Sequence, residues 1–108
     1  MQEKVYTEQG KKHMTMVKTY GGLARLARMQ ESYDDASEKI KFGLNMLEEI
    51  LSSELLSKSL TKVKLIMIKG DIEADQGDND NARKTFESAL DMLKNIFKGN
   101  FYLTQKTT

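Results

Sequence analysis

Apolar and small residues recur at three- and four-residue steps through most of the chain, and that pattern predicts helices. The clearest run is Ala82, Phe86, Ala89, Leu90, Leu93, Ile96 and Phe97, which traces one helix face. Arg83, Lys84, Glu87, Ser88, Asp91, Lys94 and Asn95 fall on the opposite face. Asp78-Asn79-Asp80 supplies N-cap candidates and negative charge beside the first-turn amides, and Gly99 is a stop signal. This helix is placed at 80–97. Before it, Leu56, Leu60, Val63, Met67, Gly70 and Ala74 form a stripe that predicts a helix over 53–76. Ser53 can cap its start, and Gly77 ends it in a turn where glycine takes positive φ without steric penalty. Gly70 in mid-helix costs about 1 kcal/mol against alanine, so a neighbouring helix is expected to pack against its bare backbone.

Counting 46 residues back, a weaker copy of the pattern stands at Ala24, Tyr33, Ala36, Ile40 and Gly43. Leu47, Ile50 and Leu51 likewise precede Leu93, Ile96 and Phe97 by 46. Ser32 is read as an N-cap, with Asp35 approximating a capping box, for a helix over 33–51. Its buried stripe is Ala36, Ile40, Gly43, Leu44, Leu47, Ile50 and Leu51. Upstream, 7–30 should hold a partner helix with Met14, Val17, Leu23, Leu26 and Ala27 available for burial. Gly21-Gly22 is expected to kink or fray it. The expected fold is all-α: two antiparallel helical hairpins, 7–51 and 53–97, in one domain spanning 7–97. Residues 1–6 are expected to be a flexible N-terminus and 98–108 a C-terminal tail.

Composition narrows the function classes. The chain has no Pro to interrupt a helix, and no Cys for a disulfide or a thiolate zinc site. With 17 basic and 16 acidic residues among 108, a net charge of +1 gives no global pull toward nucleic acid or anionic membrane. The longest apolar run, Leu65 to Ile68, is far too short to span a bilayer. Met-Gln-Glu-Lys lacks the basic start and apolar core of a signal peptide, so a cytoplasmic location is expected.

Candidate chemistry is sparse. His13, the single histidine, sits beside Lys11 and Lys12 on what reads as a solvated face. The acid-rich stretch from Asp71 to Asp80 fails the calcium-loop pattern, because Gln76 or Asp80 falls where glycine is needed. Ser52-Ser53 and Ser57-Lys58 have no oriented base. A non-enzyme is expected, with no catalytic residue, metal or cofactor. Six of the seven Met residues lie within the four predicted helices; core filling accounts for them, and an exposed Met-rich groove for a helical peptide is the alternative.

The second copy resembles the tetratricopeptide repeat. It has a small residue in the first helix (Gly70), a glycine turn (Gly77), then Ala82, Phe86 and Ala89. Ile66, Glu73 and Lys94 depart from the family's usual aromatic, Tyr and Pro. The 46-residue spacing exceeds the family's roughly 34, so the resemblance is to long-helix variants such as bacterial peptide-sensing regulators. It implies a right-handed stack whose concave face is lined by the first helix of each pair. On this chain those positions are Lys18, Gly21, Arg25, Arg28 and Met29, then Lys64, Met67, Asp71, Ala74 and Asp75. Gly21 and Arg25 do not supply the Lys and Asn of the family's carboxylate clamp, so chaperone C-termini are not expected ligands.

The resulting expectation is a protein–protein interaction module, an adaptor or regulator that binds a peptide or partner helix. Two alternatives stand beside it: a bacterial or phage regulator related to peptide sensors, and a structural homo-oligomeric bundle. Phe97, Phe101, Tyr102 and Leu103 mark an open end where a homo-oligomer or hetero-complex would form. Nucleic acid and membrane are not expected partners.

Overall fold

The computed structural model describes the backbone of residues 2–107 and the side chains of residues 13–98. Five helices follow one another: α1 (Gln2–Met29), α2 (Tyr33–Ile50), a single turn α3 (Ser53–Leu56), α4 (Leu60–Asp75) and α5 (Asn79–Thr107). There is no strand among the described residues. The densest interfaces join α1 to α2 and α4 to α5, giving two hairpins. Helix α4 is the element shared between them, packing also on α2 and, less extensively, on α1.

The 46-residue repeat is visible in the backbone of the two turns. Ser32 N–H donates to the Ala27 carbonyl (2.8 Å) and Glu31 N–H to Arg28 (3.0 Å). In the second hairpin Asp78 N–H donates to Glu73 (2.9 Å) and Gly77 N–H to Ala74 (3.0 Å). Each donor and acceptor is displaced by the same interval, and both turns form the paired closure of a Schellman motif. Gly77 has φ +81°, as expected of a glycine stop, but its counterpart Glu31 holds φ +61° with a full side chain. A left-handed residue bearing Cβ is strained by about 1 kcal/mol or more. Glu31→Gly is therefore expected to raise stability by about 1 kcal/mol, and Gly77→Ala to lower it by a similar amount, in paired denaturant titrations.

Several expected boundaries move. The 53–76 helix is two pieces, because Ser52, not Ser53, caps α3 by accepting from Leu55 N–H. Ser59 then restarts the chain as α4 by accepting from Lys62 N–H at 3.1 Å. Ser32 occupies the N-cap position of α2 without a side-chain bond, and Asp35 instead pairs with Lys39 Nζ at 2.9 Å. That contact raises the Lys39 ammonium pKa. Asp78 caps α5 as expected, accepting from Asn81 N–H at 3.4 Å. Gly99 does not stop α5, and helix extends into the expected loose ends at both termini. A helical glycine without positive φ lowers propensity but blocks no hydrogen bond.

Gly21 and Gly22 do not break α1 either. Gly21 is buried, and a Cβ there would stand 3.3 Å from Leu65 Cδ2. Across the hairpin, a Cβ on Gly43 would stand 3.4 Å from Leu65 Cδ1. The two glycines thus form a notch between α1 and α2 that receives the Leu65 side chain. Around this wedge Val17, Ala24, Ala27, Ala36, Ile40, Leu47, Ile68 and Ile72 make one continuous core. Leu23 and Leu26, expected inside, are exposed, because the face turned inward runs through Val17, Gly21, Ala24 and Ala27.

Helix α4 is buried along two lines. Leu65, Ile68 and Ile72 join the core of the first hairpin. Gly70 faces α5, where the Phe86 ring lies against it: a Cβ would meet Phe86 Cε1 at 2.6 Å. Ala82 and Ala89 are buried on α5, as the close approach requires. Thr85 Oγ1 ties α5 to α4 by donating to Glu73 Oε1 at 2.5 Å.

Candidate functional site

With α4 seated against the first hairpin, two helices leave an open furrow on one side of the molecule. Its α1 wall carries Lys18, Gly21, Gly22 and Arg25, and its α4 wall carries Thr61, Lys64, Leu65 and Ile68. The cavity holds about 300 Å³. Lys18, Gly22 and Arg25 share a face of α1 because they stand four, three and seven residues apart, and Thr61 and Lys64 are one turn apart on α4. The floor is the same Leu65 and Ile68 that fill the core, so the furrow's depth is set by the glycine notch.

The electrostatics of this furrow are one-sided. Lys18, Arg25 and Lys64 are exposed, and none forms an ion pair within 4.0 Å among the described residues. No acidic side chain lines it. One turn beyond Arg25, the pattern changes. Arg28 Nε donates to Asp75 Oδ2 at 2.6 Å and Nη2 to Oδ1 at 3.3 Å, a two-pronged pair across the hairpins. Asp71 Oδ2 lies 3.9 Å from Arg28 Nη1. The hydrogen bond to Asp75 raises the Arg28 pKa further above its already high ordinary value.

The expected concave-face set therefore divides. Lys18, Arg25 and Lys64 come together around the furrow, whereas Arg28, Asp71 and Asp75 satisfy one another. Met29 and Met67 are exposed and line no described furrow with them. At the expected open end, Phe97 is 53% exposed. Phe101, Tyr102 and Leu103 lie outside the residues whose side chains are described. An exposed bidentate pair contributes modestly; a double-mutant cycle on Arg28 and Asp75 is expected to return about 0.5–1 kcal/mol, shrinking as salt rises.

Two further furrows bear on the choice of site. One, of about 310 Å³ between α2, α4 and α5, gathers Lys62, Lys69 and Lys84 but contains its own counter-charge, Glu48. The other, of about 410 Å³, is mostly apolar and runs along Ala74, Ala82, Phe86 and Leu90. Among the described residues no cluster of three or more His, Cys, Asp or Glu could hold a metal ion, and no helix is long and apolar enough to cross a membrane. Comparison with protein families, curated proteins and solved structures finds no match to this chain.

Proposed function

We propose that the protein is a non-catalytic interaction module, an adaptor or regulator that binds a peptide or partner protein along the α1/α4 face. The observation that carries this reading is the furrow itself: three exposed cations with no ion pair among the described residues, around an open cavity that no acidic side chain lines. The two turns related by 46 residues and the seating of α4 against the first hairpin support a tetratricopeptide-like stack, in which this face is concave. Selection of displayed random peptides on the folded chain tests the reading. Recovered sequences should raise the melting temperature, since a ligand of the native state stabilises it. Failure to recover any such sequence would contradict it.

Self-association is the second reading. It is favoured by the apolar furrow along Ala82, Phe86 and Leu90, and by exposed Phe97 further along α5. Sedimentation across a concentration series separates the two, because only self-association makes the mass rise with concentration.

A further inference from the structure

Gly22 poses a question that packing does not answer. A Cβ at Gly21 would press on Leu65, but one at Gly22 would meet nothing within 4 Å. Gly22 nevertheless sits within α1, where alanine would be the better helix former. The backbone it leaves bare lies on the furrow wall between Lys18 and Arg25.

We infer that the α1/α4 furrow binds an extended acidic peptide segment whose backbone passes close over Gly22 while its carboxylates meet Lys18, Arg25 and Lys64. The inference rests on the interaction-module reading and gives the partner a chemistry. Lys18 and Arg25, seven residues apart, are separated by about 10 Å along the helix. In the extended polyproline-II conformation three residues cover about 9 Å and bring the side chain back to the same side, so acidic residues three apart in the ligand match the two cations in register. Lys64 faces them from the other wall. Carboxylates entering here find no competing acid, unlike the furrow that contains Glu48. A polynucleotide fits less well. Three cations are fewer than the roughly six to ten phosphate contacts such binding uses.

The test uses the full chain and a fluorescent, Pro-rich peptide of about twelve residues that favours polyproline II, with Asp or Glu at every third position, beside its Asn/Gln counterpart. By anisotropy at low salt, the acidic peptide should bind about tenfold more tightly than the amide version, and the difference should shrink as salt rises. Lys18→Glu, Arg25→Glu and Lys64→Glu should each weaken binding by about tenfold, whereas Lys94→Glu on the far face of α5 should not. Gly22→Ala is the sharper variant. It should raise the melting temperature by about 5 °C while weakening the acidic peptide severalfold, a combination that damage to the fold cannot produce. Equal binding of the two peptides, no binding of either, or indifference to the three reversals would overturn the inference. The interaction-module reading would survive if displayed peptides of another chemistry still bind. A single-stranded oligonucleotide of equal length that binds as tightly, and is lost in the same variants, would overturn it in favour of nucleic acid.

Discussion

Leu65→Ala is expected to destabilise the protein by about 3 kcal/mol and to lower its melting temperature by roughly 15 °C. Leu65 is 3% exposed, and its two methyl groups fill the notch made by Gly21 and Gly43. Truncation removes those methyls from an interface that cannot close over the gap. Both glycine positions are backbone of long helices, and their spacing is held by Val17, Ile40 and Leu47 beside them. A cavity with rigid walls keeps its full penalty. The loss should also loosen the two hairpins against each other, because Leu65 is the wedge on the α4 surface facing both α1 and α2. Calorimetry measures the first effect, and amide exchange across α4 the second.

The other large effect is at Gly70. Gly70→Val should destabilise by about 2 kcal/mol, since its Cβ would enter the space of the Phe86 ring. The cause can be separated from helix propensity by changing the ring. In a Phe86→Leu background, Gly70→Ala should become stabilising by up to about 1 kcal/mol, because the obstruction is gone and the propensity gain is left. If Gly70→Ala has the same effect in both backgrounds, the ring is not what requires the glycine.

Much of this arrangement could be read from the residues before any coordinates. The spacing of Gly70, Ala82, Phe86 and Ala89 led to a close helix pair, and the glycine indeed lies under an aromatic ring. Gly77 announced its left-handed turn because glycine is the residue that tolerates one. Glu31 gave no such signal, since nothing about glutamate predicts positive φ; the strain is imposed by the closure of the turn. The α4 stripe through Val63 and Gly70 was legible, but not the line through Leu65, Ile68 and Ile72. A helix buried on two sides shows a wide apolar arc, and one stripe describes only part of it.

The furrow shows the same division. The tetratricopeptide resemblance implied one face for Lys18, Arg25 and Lys64, and they line one cavity. The pairing of Arg28 with Asp75, 47 residues away, depends on how the hairpins dock and has no local signature. Gly21-Gly22 read as a kink because adjacent glycines weaken a helix. Their separate uses, one receiving Leu65 and the other left bare, emerge only once α4 is in place.

The seating of Leu65 between the hairpins decides both the core and the depth of the furrow. Nuclear Overhauser spectroscopy on a sample with labelled leucine methyls observes it directly. The Leu65 methyls should show cross-peaks to the α-protons of both Gly21 and Gly43, in the same folded species. Leu65 methyls that see neither glycine would contradict the account.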